Sequence, residues 1–140
     1  MVFPMRSRAY GSSSQLAVTV LIVDDDQAIR GTVRRLLERE PRVRLVGEAG
    51  DGEEAVRLAR ELRPDVVLMD IAMPRLDGLE ATRRIKAERP EAKVIIPTVH
   101  REEAYRKAAG ESGADAFLPK KAAIDELLYA IRGFGFPRSR

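Results

Sequence analysis

Five short runs of β-branched and aliphatic residues alternate with five segments whose apolar residues recur at helical spacing, and this alternation limits what the 140-residue chain can fold into. The first run, Val18 to Val23, is continuously apolar, as a strand buried on both faces should be, and it ends in Asp24, Asp25 and Asp26. Ile29, Val33, Leu36 and Leu37 then mark a helix among Arg30, Arg34, Arg35 and Glu38, until Pro41 stops it. Val43 to Val46 predicts a second strand. Asp51 precedes a helix whose first turn holds Glu53 and Glu54, complementing its positive end, and which runs to Leu62. Asp65 to Asp70 predicts a third strand with a carboxylate at its carboxyl end. Asp77 caps a helix carrying Leu79, Thr82 and Ile85, Val94 to Ile96 is a fourth strand, and Glu102 to Glu111 a fourth helix ended by Gly113. Ala116 to Leu118 is the fifth strand, and Ile124, Leu127, Leu128 and Ile131 mark the last helix. Parallel neighbours need crossovers, and right-handed crossovers place helices on both faces. The predicted fold is therefore a doubly wound α/β fold: a five-stranded parallel sheet with five helices.

Composition narrows the chemistry. A chain with 44% hydrophobic residues can bury a core without staples, and the lack of cysteine rules out disulfides, thiolate zinc sites and thiol catalysis. No stretch approaches the roughly 18 to 20 apolar residues of a membrane span, so a protein of the reducing cytoplasm is expected. The formal charge of +3 invites a nucleic-acid reading. Five of the positive charges, however, sit at Arg6, Arg8, Arg132, Arg138 and Arg140, which leaves −2 for residues 18–131. No specific nucleic-acid binding is expected. Residues 1–17, with a Gly-Ser run and no acid, predict a disordered basic tail; residues 18–132 form the domain, and 133–140 a C-terminal tail.

In doubly wound sheets ligands bind outside the carboxyl ends of the strands. Four such ends carry polar residues: Asp24, Asp25 and Asp26 after the first strand, Asp70 after the third, Thr98 after the fourth and Lys120 after the fifth. Carboxylates converging on one crevice repel unless a hard cation lies between them, and an all-oxygen set suits Mg2+ or Mn2+. A phosphoryl group on Asp70 would meet the metal on one side and an ammonium and a hydroxyl on the other, which supplies the neutralisation and positioning that phosphoryl transfer needs.

The segments Leu21-Ile22-Val23-Asp24-Asp25-Asp26 and Val67-Leu68-Met69-Asp70-Ile71-Ala72-Met73-Pro74-Arg75-Leu76-Asp77-Gly78-Leu79, with Thr98 and Lys120, resemble the motifs of bacterial response-regulator receiver domains of the CheY-like, flavodoxin-like fold. The resemblance covers residues 18 to 132. It implies Asp70 as phospho-acceptor, Asp25 as direct metal ligand, Asp24 as an acid acting through metal-bound water, and the backbone carbonyl of Ala72 as a further ligand. It also implies Thr98 as the switch hydroxyl, Lys120 as partner of the phosphoryl group and Phe117 as the aromatic that follows the switch. Asp26 has no metal role in that pattern and suits the cap of the first helix. Val46-Gly47-Glu48-Ala49, Asp51-Gly52 and Lys121 resemble the subfamily whose output is a LuxR-type helix-turn-helix domain. The implied partners are a sensor histidine kinase, an output domain or output protein, and a second copy through helix four, strand five and helix five.

Each residue has a plainer role available. Aspartates at strand ends commonly cap helices, a strand-end threonine is ordinary, an aromatic in a strand is usually core, His100 suits a solvated loop, and Arg30, Arg34 and Arg35 suit a solvated helix face. Pro97 and Pro119 depart from the pattern by removing backbone donors beside Thr98 and Lys120, and they predict an altered strand path there. If these prolines lock the switch, the alternative is an inert scaffold for dimerisation or docking. An aspartyl phosphatase is disfavoured because Ala72 stands where a second acid is expected.

Overall fold

The computed structural model describes residues 17–70, 77–98 and 103–129, with the backbone alone at 98, 103–106 and 118–123. The elements run β1 (Val18–Val23), α1 (Gln27–Glu38), β2 (Val43–Ala49), α2 (Gly52–Leu62), β3 (Val66–Met69), α3 (Gly78–Glu88), β4 (Lys93–Thr98), α4 (Glu103–Ser112), β5 (Ala116–Pro119) and α5 (Lys120–Tyr129). All strand pairings are parallel and the sheet order is β2-β1-β3-β4-β5. The doubly wound α/β fold expected from the alternation is the fold observed.

Side chains of successive strand residues point to opposite faces. Leu21, Val23, Val67, Met69, Val94 and Ile96 pack against Ala55, Leu58, Ala81, Ile85 and Ala109, so α2, α3 and α4 cover one face. Val20, Ile22, Val66, Leu68 and Ile95 meet Leu37 and Leu127, placing α1 and α5 on the other. The starts of α1, α2 and α3 rest on aspartates: Asp26 accepts from the amides of Ala28 (2.9 Å) and Ile29 (3.2 Å), Asp51 from Glu54 (2.8 Å) and Asp77 from Glu80 (2.9 Å). Gly113, at φ +95°, supplies the left-handed turn that ends α4.

Three local findings refine the expectations. β2 continues three residues past Val46, and its pairing with β1 slips by one residue between Val20 and Leu21. The slip inverts the alternation, so Leu45 and Glu48, three apart, lie over the same α1 side of the sheet. At the other end of β1, Thr19 and Asp65 exchange side-chain and backbone hydrogen bonds of 2.9 to 3.1 Å, fixing the amino edge of β1 against β3. Pro97 and Pro119 do not end the pairing of their two strands with each other. β4 and β5 stay paired through Pro97 with Leu118 and Thr98 with Pro119, whereas the pairing of β4 with β3 ends earlier, at Ile95. β5 is an edge strand, where a missing amide is tolerated. The flanking segments expected at 1–17 and 133–140 fall outside the described residues, apart from Ala17.

Candidate functional site

The central strands β1 and β3 end side by side, and the sheet ladder runs one residue beyond each. The Asp70 amide donates to the Val23 carbonyl (2.9 Å) and the Asp24 amide to the Ala49 carbonyl (3.0 Å). Two acids are thereby held on sheet backbone at the carboxyl edge. Asp24 is buried, Asp70 half-buried and Asp25 exposed, and one carboxylate oxygen from each lies within 4.8 Å of the other two. Carboxylates at that separation repel by roughly 3 kcal/mol per pair at an effective dielectric near 20. The donors are hard oxygens presented from both buried and solvent-facing positions, so they fit a hydrated divalent cation of the Mg2+ or Mn2+ type.

Asp26, the third member of the acidic run, is turned away to cap α1, and its amide donates to Asp24 Oδ1 (2.9 Å). Thr98 is the last residue of β4, and Lys120 follows β5 as the first residue of α5. Their backbones share the carboxyl edge with the acids; their side chains lie outside the described residues, as do Ala72 and His100 altogether. Phe117 is half-buried and packs against the core on the α2, α3 and α4 face. Beside the acids, an apolar cavity of about 380 Å³ opens between α1 and α5, lined by Ile29, Val33, Leu36, Pro97 and Ile124 with Asp24 on its rim.

The solvated-face expectation for Arg30 and Arg34 is corrected. Both turn onto Glu48, which is 3% exposed. Arg30 Nε donates to Glu48 Oε1 at 3.0 Å and Arg34 Nη1 donates to Glu48 Oε2, because a carboxylate buried under α1 requires cationic partners. Arg30 Nη1 also donates to the Asp24 carbonyl at 2.5 Å. Arg35 alone of the three is exposed. The signal available in the sequence was an acid near the end of a strand otherwise largely apolar, hidden by a strand prediction that stopped at Val46.

A doubly wound parallel sheet with clustered carboxylates at its carboxyl edge defines the class of CheY-like phospho-accepting signalling domains. The chain belongs to the response regulator receiver domain family, whose model matches residues 20–132. It is 41% identical to the response regulator GacA of Pseudomonas aeruginosa over 115 residues, 82% of this chain and 54% of that protein. It is 44% identical to the response regulator UvrY of Escherichia coli K12 over 115 residues, 82% and 53% of the two chains. Among solved structures, a LuxR-family two-component response regulator from Aurantimonas sp. SI85-9A1 superposes with a TM-score of 0.75 at 40% identity, covering 82% of each chain. The response regulator domain of Thermotoga maritima CheB gives 0.74 at 36% identity, covering 83% of this chain and 94% of that one. The chain spans about half the length of the curated relatives it matches. It is a receiver domain of two-component signalling, of the type found in LuxR-family regulators.

Proposed function

We propose that Asp70 is the phospho-acceptor of this receiver and that Asp25, Asp70 and the Ala72 carbonyl hold a Mg2+ or Mn2+ ion, with Asp24 acting through its water. The observation that carries the reading is the meeting of the Asp24, Asp25 and Asp70 carboxylates at the ends of the two central strands. When bound, the cation neutralises the oxygens of the incoming phosphoryl group. An Asp70 carboxylate oxygen attacks the phosphorus of a kinase phosphohistidine; the P–N bond breaks and the imidazole leaves with its electron pair. Lys120 and Thr98, following β5 and ending β4, receive the phosphoryl oxygens on the far side. Thr98 turning inward, with Phe117 following it, biases a two-state equilibrium of the face made by α4, β5 and α5.

The partner on the input side is a sensor histidine kinase in the cytoplasm. The output is a LuxR-type DNA-binding domain or a separate protein, with a homodimer through α4, β5 and α5 as the assembly favoured by phosphorylation. Residues 18–132 act as the receiver and 1–17 and 133–140 as flanking tails. Among the described residues no helix is long and apolar enough to cross a membrane. The pairing of β4 with β5 through both prolines supports the switching reading over the inert-scaffold alternative.

Incubation with Mg2+ and acetyl phosphate, followed by intact mass, tests the acceptor. A metal-dependent phosphoryl adduct is expected on the parent and not on Asp70→Asn; an adduct of equal yield on the variant would remove Asp70 from the role. The domain also returns itself to rest by hydrolysis. Ala72 offers no polar side chain to orient the attacking water, so the adduct should decay more slowly in the parent than in Ala72→Asn, and equal or faster decay in the parent would refute this.

A further inference from the structure

We propose that Arg30 is a positioning residue of the acidic site, acting through the Asp24 carbonyl to set the affinity for the divalent cation; the inference rests on the metal reading above. The Asp24 carbonyl and the Asp25 amide belong to one planar peptide unit. Whatever fixes that carbonyl therefore fixes the direction in which the chain enters Asp25. The rest of Asp24 is already held: its amide by Ala49 (3.0 Å) and its Oδ1 by the Asp26 amide (2.9 Å). Arg30 adds the hold on the carbonyl at 2.5 Å.

Arg30 can do this because its own position is fixed. Its side chain is 15% exposed, and its Nε rests on Glu48, whose side chain is 4% exposed and which also takes Arg34. The planar guanidinium presents donors in a rigid fork, so anchoring Nε on Glu48 aims Nη1 at the carbonyl. Gly50 lies beside this contact: a Cβ there would come to 3.4 Å from Arg30 Nη1, within ordinary van der Waals contact. The one-residue slip in β2 puts Glu48 on the α1 side, and the chain of contacts thus runs from β2 through α1 to the loop that carries Asp24 and Asp25.

The sign of the effect separates positioning from simple charge. A guanidinium beside a cation site repels the cation, so charge alone makes Arg30→Met bind Mg2+ more tightly. Loss of positioning makes it bind more weakly, on the order of tenfold, as removal of groups that orient metal ligands generally does. Isothermal titration calorimetry with MgCl2 on the full chain, alongside melting without metal, reads both. If the parent binds no Mg2+, the metal reading fails and this inference with it. If the parent binds and folded Arg30→Met binds as tightly or more tightly, Arg30 is only a structural tie and the inference alone is overturned, even if the metal-free Tm falls. Should Arg30→Met not fold, Arg30→Lys is read instead: it keeps the charge but not the fork, so Mg2+ binding several-fold weaker than the parent's supports positioning and equal binding overturns it.

Discussion

At the scale of single residues, burial decides what each polar group can do. Thr82 on α3 is fully buried, and among the described residues its hydroxyl finds no hydrogen-bond partner. Thr82→Val removes that hydroxyl at nearly constant volume and should stabilise the fold by about 1 kcal/mol, a rise of ~3 °C in Tm by calorimetry; a lower Tm would show that the hydroxyl is satisfied in solution. The acidic residues divided as the sequence suggested in one respect. Asp26 caps α1, leaving Asp24 and Asp25 to face Asp70. Arg30 and Glu48 were not legible, because a helix period marks which residues face the sheet but not that an arginine on the flank of that stripe reaches a buried acid from the next strand.

At the scale of elements, the boundaries followed capping chemistry where Asp, Gly and Pro marked them, as at Asp51, Asp77 and Gly113. They were missed where an element continued without a marker: β2 to Ala49, and α5, which begins at Lys120 directly after β5. Gly47 and Glu48 interrupt the apolar run of β2 before its end, no loop residue separates β5 from α5, and a register slip leaves no compositional trace. Between α2 and α3 the Arg60 and Glu88 side chains meet at 2.7 and 3.0 Å. The hydrogen bond from Arg60 holds the Glu88 carboxyl below its usual range. A depressed carboxylate contributes stability above its unfolded value and loses it as pH falls through the folded one. The parent should therefore melt slightly above Glu88→Gln at neutral pH, with the gap closing on acidification below the usual glutamate range. A gap that persists at low pH would deny the ion pair its role. Both groups are exposed, so the gap should also shrink in high salt.

For the whole molecule, fold class and strand count were readable because alternating periods leave few architectures, whereas periodicity alone left the order β2-β1-β3-β4-β5 open. That order matters to the site, since it sets β1 beside β3 and so brings Asp24 and Asp25 to Asp70. A cation that binds only the folded state should stabilise the entire domain. At ten times its dissociation constant Mg2+ should add about 1.4 kcal/mol, seen as a rise in Tm that Asp25→Asn abolishes. A Tm indifferent to Mg2+ in the parent would count against the cation site.

No residue separates β5 from α5: Pro119 closes the strand and Lys120 opens the helix. Mechanically this joint has no slack. A loop would absorb a small displacement of Lys120 in its own torsions, but here the displaced backbone is already the first turn of a rod of 10 residues, about 15 Å long. Any displacement of the Lys120 backbone would thus be carried along α5 toward the opposite edge of the sheet, and one glycine inserted between Pro119 and Lys120 should loosen that coupling.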